Sequence, residues 1–424
     1  MRWRPVADSL AAAALLAIAR CAAASTPTVL PSTEVAEQPR YLADSAPETT
    51  QEAAPKPRKP LMALLNACGI AQSLERNNIS IFGHIEGSYT HNFDSPKDKL
   101  NFGRIFDDKD KAALLNQVDL TVERAVDPAK KQFDVGGRIE WIFGADAGSM
   151  HANGLFDWYD GPRDPENQFD LYQAYLDFAI PVGNGLLVRA GKFASLSGYE
   201  SPTATENPFY SHGLLHNWMG PYTQTGVLGT YAINDAWAFT AGISRGWDQA
   251  TEDNNGAIDF VGQAEWTVSE KTSVSFSMTT GPEATGNNED YRTLLNVVVS
   301  HEFTDKLSMA FEGDFAWEAD AADDGGTAYW YGLGGYPSYI LNSHLTLNGR
   351  LEWFRDDGGS RIGVSGNYYE ATIGVAISPL PNDRWGQYLV IRPELRADLA
   401  DQDVFNDGSD QRMFTLGIDM IYSF

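Results

Sequence analysis

The sequence predicts an all-β fold: an antiparallel up-and-down transmembrane β-barrel of about sixteen strands, with a short N-terminal helix and a disordered N-terminal linker. Three observations lead there. The C-terminal stretch Arg412 to Phe424 alternates apolar and polar residues on a strict period of two. Short and long connections alternate along the chain. After the N-terminus, no apolar run reaches the ~18 residues that a membrane helix needs. A barrel escapes that last test, because only alternate residues of each strand face lipid.

In the C-terminal stretch, Phe414, Leu416, Ile418, Met420, Tyr422 and Phe424 share one face, and Asp419 lies on the other. A period of two is that of a strand with two different surroundings. Lipid on one side and water on the other suits this pattern. The edge strand of a soluble sandwich is the alternative reading of that segment alone.

Residues 1–24 read as a signal peptide, with Arg2 and Arg4, an apolar core from Leu10 to Ile18, and an A-x-A site at Ala22 to Ala24. Arg20 before Cys21 fits a lipobox poorly. Cleavage would leave Cys68 as the only cysteine and hence no intrachain disulfide. Residues 25–60, rich in Pro, Thr and Ala, have little to bury and read as a disordered linker in the periplasm. In 61–76, Leu61, Leu64, Leu65 and Cys68 fall at helical spacing, which predicts a short helix at the periplasmic mouth or in the lumen. The barrel then occupies 77–424.

Sixteen strands are expected near 79–93, 113–126, 132–143, 169–181, 185–194, 222–234, 236–246, 257–268, 271–281, 290–303, 306–318, 328–340, 343–355, 366–378, 387–398 and 412–424. The turns after strands 2, 4, 6, 8, 10 and 12 are short, and those after strands 3, 5, 7, 9, 11 and 13 are longer. An outer-membrane barrel produces this, with tight periplasmic turns and longer outer loops. Greek-key sandwiches have no reason to alternate so. Pro379 to Gly386 is the one irregular periplasmic turn. An even strand number puts both termini on the periplasmic side, so the last strand should pair with the first around Ile81 to Tyr89. Tyr422 and Phe424 would then carry the assembly signal read by the barrel-assembly machinery.

Parity assigns the faces. An Arg or Lys in hydrocarbon costs about 2–4 kcal/mol at the midplane, so faces bearing several charges must turn inward. The pore-lining acids become Asp119, Glu123, Glu140, Asp177, Glu265, Glu312, Asp314, Glu352, Glu370, Glu394, Asp398 and Asp419. The pore-lining bases are Arg138, Arg189, Arg292, Arg350, Arg392 and Arg396. Each residue taken singly reads as one rung of a cross-strand ion-pair ladder. Together, an acidic lumen would favour cations over anions. The formal net charge of -26 argues against nucleic acid as a partner. Aromatics near strand ends, including Trp237, Trp266, Trp317 and Tyr329, read as interfacial girdles in contact with outer-membrane lipid.

The segments RIEWIFGADA (138–147), LVRAGKFASLSGYESPTATENPFYSHGLL (187–215), TQTGVLGTY (223–231), LNGRLEWFRDDGG (347–359), NYYEATIGV (367–375) and LVIRPELRAD (389–398) resemble the β-barrel porin-2 (OmpL-like) family. The most distinctive pieces are Gly198-Tyr199-Glu200 and Phe209 to His212. The resemblance covers nearly all of 79–424 and implies location and class, an outer-membrane porin, rather than a ligand; the first reading of the chain is a porin, monomeric or homotrimeric, that passes small hydrophilic solutes or cations. It implies no cofactor and no catalytic residue.

Loop 195–221 is the third long loop, and in general porins the third loop folds inward. Tyr199, Glu200, Glu206, His212 and His216 are therefore the constriction candidates. His212 and His216 are spaced for one helix face, but no third metal ligand is identifiable, so no metal site is expected. The acidic loops 320–326 and 401–410 do not match Ca²⁺-loop spacing and read as solvated turns. A non-conducting structural or adhesin barrel is the second reading. A barrel enzyme is the third: the seven histidines are scattered and no G-x-S-x-G motif occurs.

Overall fold

A computed structural model describes residues 58–424 except 160, 162–164 and 323. The expected signal peptide and nearly all of the linker lie outside the described residues. Sixteen antiparallel strands form one closed barrel in which each strand pairs with its neighbours in sequence and β1 pairs with β16. They are β1 Ile79–Asn92, β2 Ala112–Arg124, β3 Asp134–Gly144, β4 Gln168–Ile180, β5 Leu186–Ala194, β6 Thr223–Asn234, β7 Trp237–Trp247 and β8 Asp259–Ser269. The second half comprises β9 Thr272–Pro282, β10 Tyr291–Glu302, β11 Leu307–Glu318, β12 Ala328–Asn342, β13 Leu345–Asp356, β14 Gly366–Ile377, β15 Leu389–Ala400 and β16 Arg412–Ser423. Every strand expected from the pattern is present within a few residues of its expected bounds.

Closure follows the expected register. Ile85 pairs with Tyr422 and Tyr89 with Ile418. Phe424 extends the ladder beyond β16, donating its N–H to Gly83 O at 2.8 Å and accepting from Gly83 N at 3.0 Å. A closed sheet leaves no edge to be solvated, which is what allows backbone to lie in hydrocarbon. Among the described residues no helix is long and apolar enough to cross a membrane.

The outer face is apolar, as parity requires: Leu351 is 62% exposed, whereas its neighbour Arg350 is fully buried. Aromatics collect at both rims. Trp237 and Trp266 stack at 5.1 Å near the periplasmic turns, while Phe315, Trp317, Tyr329 and Tyr331 cluster near the outer loops.

The N-terminal helical segment is two helices, α1 Pro60–Ala67 and α2 Ala71–Arg76, rather than one. Gly69 at φ +77° breaks it, a left-handed conformation that ends helices. Its buried face is Pro60, Leu61 and Met62. Lys59 Nζ lies 4.5 Å from the ring of Phe82 on the lumen side of β1, so the segment sits at the end of the barrel where β1 begins. The expectation of no intrachain disulfide concerns a chain that has lost residues 1–24, which lie outside the described residues.

Candidate functional site: the lumen and its inward loops

Sixteen strands enclose a lumen wide enough for a water channel. Yet the lumen-facing Arg350, Glu370, Arg396, Asp398 and Asp419 are each no more than 3% exposed. The wall cannot bury its own interior at that diameter. Loops from the outer rim do so.

The third loop, between β5 and β6, lies inside the barrel. Its helix α3 (Leu214–Trp218) places Leu214, Leu215 and Met219 against Leu294, Trp330, Phe354, Tyr368 and Met413 of the wall. The outer half of the lumen is thus partly an apolar core. Parity with Arg292, Glu352, Glu370 and Asp419 turns Leu294, Phe354, Tyr368 and Met413 inward, but it does not name the loop as their partner. The first loop (93–111) also enters. Phe106 packs on His212 and His216, with ring centroids 4.4 and 5.6 Å apart. Arg104 donates to Asp107 and Asp398, both at 2.5 Å, and to Thr415 at 2.9 Å.

Arginines on the wall hold the third loop. Arg350 donates to Glu200 at 2.6 Å, to Ser211 O at 2.5 Å, and to Glu370 at 3.2 Å. Arg392 donates to Asp419 at 2.5 Å and to the loop carbonyls of Ala204 and Asn207. Arg396 pairs with Asp398 at 2.7 Å and donates to His212 O at 2.6 Å. Wall carboxylates meet the loop's backbone donors. Glu394 accepts from Tyr210 N at 3.0 Å and Ser211 N at 3.2 Å, and Glu352 accepts from Leu214 N and Leu215 N at the start of α3. These charge-assisted bonds are the strong class, and each buried charge is useful only while the loop is present.

The constriction candidates separate. Glu200 is a buried anchor that also accepts from Gly213 N at 2.6 Å. Tyr199 stacks on Tyr336 with centroids 4.3 Å apart. Glu206 stays partly exposed. His212 and His216 stack on each other at 4.5 Å, and burial pushes both rings down to about 3. Among the described residues no group of three or more His, Cys, Asp or Glu is arranged to hold a metal ion.

The remaining pore-lining residues fall into two sets. Arg189 grips Asp177 at 2.8 Å, Arg292 pairs with Glu318 at 2.8 Å, and Arg138 pairs with Glu140 at 3.0 Å beside its cross-strand neighbour Glu123. Asp119 lies 3.8 Å from His84 Nδ1. Glu265 is half-buried near the periplasmic end. Glu312, Asp314 and Glu352 have no basic side chain within ion-pair distance among the described residues. Asn296 Nδ2 donates to Glu312 at 3.0 Å and to Asp314 at 2.8 Å. The single Tyr336 hydroxyl lies between Glu312 at 2.9 Å and Glu352 at 2.8 Å.

Arg104 and Glu86 were missed by sequence reasoning. Arg104 is flanked by Phe102, Ile105 and Phe106, an apolar group in an acidic outer loop, and apolar loop residues needing burial are the signal that could have found it. Glu86 is inward by the same parity as His84 and lies 3.5 Å from Arg392.

A family described as "Putative beta-barrel porin-2, OmpL-like" matches residues 78–424, the whole barrel. The chain belongs to this family of outer-membrane porins. Its barrel is also similar to solved porin structures. An anion-selective porin from Comamonas acidovorans aligns with a TM-score of 0.56 at 11% identity, over 82% of this chain and 99% of that one. The outer-membrane channel DcaP of Acinetobacter baumannii aligns at 0.55 with 12% identity, over 82% and 97%. OmpT of Vibrio cholerae, in a trimer form, aligns at 0.54 with 11% identity, over 82% and 99%. At these identities the likeness to this OmpL-like barrel is one of fold. No curated protein sequence matches the chain.

Proposed function

We propose that this porin forms a cation-preferring, water-filled pore for passive diffusion of small polar solutes, and acts as a channel rather than an enzyme. The observation that carries the preference is the trio Glu312, Asp314 and Glu352. The wall arginines are already paired with carboxylates, whereas these three neighbouring acids have no basic partner among the described residues, and unpaired acids attract cations. A barrel of the same fold is described as anion-selective, so side-chain charge rather than architecture must set the sign. In this reading residues 1–24 are removed on export, 25–60 tether the barrel in the periplasm, the C-terminal strand engages the assembly machinery, and barrels associate as trimers.

The test is single-channel conductance in planar bilayers, followed by reversal potential in a salt gradient. Cation-directed reversal supports the proposal, and anion preference overturns it. A second reading, a non-conducting structural or adhesin barrel, is favoured by the burial of Arg350 and Arg396 beneath the inward loops. Folded protein without conductance would select it.

A further inference from the structure

The turn joining β14 to β15 is the irregular one at the periplasmic rim, and a cavity of about 200 Å³ lies between it and α1. Arg58, Asn66, Arg384, Trp385, Gln387 and Tyr388 line it, and none of the described lining residues is a carboxylate. Arg384 sits over the Trp385 ring, 5.0 Å from its centroid. The adjacent acid, Asp383, is occupied by the turn itself, accepting from Trp385 N at 2.9 Å and Gly386 N at 2.7 Å. Among the described residues, no carboxylate lies within ion-pair distance of Arg384. Arg58 gives Nε and Nη2 to Glu75, at 2.5 and 2.9 Å, which leaves Nη1 uncommitted. Its carbonyl accepts from Tyr388 at 3.4 Å, which joins the two walls.

We propose that this cavity binds a phosphate group, held by Arg384 and Arg58, with the amides of Asn66 and Gln387 beside it. The guanidinium fork of Arg384 and the uncommitted Nη1 of Arg58, from separate elements, bound one space, and such donors suit phosphate oxygens. A water occupies about 30 Å³ of liquid, so the space admits a phosphate with a small substituent and is below the ~300 Å³ of drug-sized pockets. The source is a phospholipid headgroup of the periplasmic leaflet or free phosphate. On the same turn, Leu380 is 53% and Trp385 36% exposed, as residues that meet an interface are. A bound phosphate would also staple α1 to the barrel rim. The site stands whether or not the barrel conducts.

The experiment uses the full chain folded in a maltoside detergent and phosphate-free buffer. One calorimetric arm titrates inorganic phosphate, and the other titrates dihexanoyl-phosphatidylglycerol below its micellar concentration. Saturable one-site binding is expected, weakened about tenfold or more in Arg384→Ala and in Arg58→Ala, as loss of a charge-assisted hydrogen bond implies. Barrel integrity is checked by heat-modifiable gel migration. Arg355→Ala, at the opposite rim, should bind as wild type. Equal affinity in both arms assigns free phosphate, and tighter lipid binding assigns the headgroup; either upholds the site. Absence of saturable binding in both arms, indifference to both arginine variants, or an equal loss in Arg355→Ala overturns it.

Discussion

Arg350 on β13 and Glu200 in the third loop form an ion pair at 2.6 Å in which both side chains are essentially inaccessible to solvent. They are 150 residues apart in sequence. The pair is the central point at which the inward loop is fastened to the wall.

Removing the guanidinium in Arg350→Ala leaves Glu200 buried without its basic partner and Glu370 with only Arg396, at 3.5 Å, and such truncations cost about 3–5 kcal/mol. The third loop should detach. Limited proteolysis should cut within 195–222 in the variant and spare the wild type, and unitary conductance should rise. Glu200→Gln should act more mildly, because its amide oxygen still accepts from Gly213 N. Identical proteolysis of Arg350→Ala and wild type would show that the pair does not anchor the loop.

Gly213→Ala tests the same fastening by steric means. A Cβ there would lie 2.1 Å from Glu352 Oε1, the carboxylate that receives the first N–H groups of α3. Gly213 has an ordinary φ of -69°, so the penalty is contact rather than backbone strain. The variant should lose loop protection as Arg350→Ala does. Glu352→Ala, which removes the acceptor of Leu214 N and Leu215 N, should lose loop protection as well.

Neutralising the unpaired trio in Glu312→Gln/Asp314→Asn/Glu352→Gln leaves the paired arginines in place. The cation-to-anion permeability ratio should fall by roughly twofold or more, since fixed charge at close quarters sets selectivity. Reversal potential in a KCl gradient measures it. An unchanged value would remove these three side chains from the permeation path.

His212 and His216 give the docked loop a pH dependence of defined sign. Burial, the largest cause, holds both rings at about 3 when docked, against about 6.5 when released. The docked state therefore binds fewer protons. Its stability is fully present above about pH 6.5 and declines as pH falls towards 3, by up to about 1.4 kcal/mol per pH unit for each ring. Loop protection in wild type and His212→Gln/His216→Gln should differ in slope only below pH 6.5, because all other titrating groups are common to both. Parallel profiles would show that the rings do not resist protonation.

Deleting Phe424 removes the two hydrogen bonds with Gly83 that complete the β1–β16 seam. Folded barrel in the outer membrane should drop severalfold, while refolding in detergent should suffer less, because the lost bonds are worth only about 1 kcal/mol each. An equal loss in both settings would make the residue structural and not an assembly signal.

The strand order, the closing pair and the direction of each wall side chain were legible in the sequence because their causes are local. A period of two offers two faces, and Arg350, Glu352 or Asp419 in lipid would be costly enough to choose between them. Short turns at 127–131, 181–185 and 234–235 then leave each strand only its neighbour to pair with. Which residue meets which across the lumen has no such local cause. Arg350 reaches Glu200, and Arg104 reaches Asp398, only after the barrel has closed and two outer loops have turned into it. The apolar Leu294, Trp330 and Phe354 likewise found α3 as their cover, a partner that no spacing on their own strands could name. Faces follow from the period of a strand and the cost of charge in hydrocarbon. Partners follow from closure, which brings distant segments into one small, largely water-excluded space where every charge must be answered.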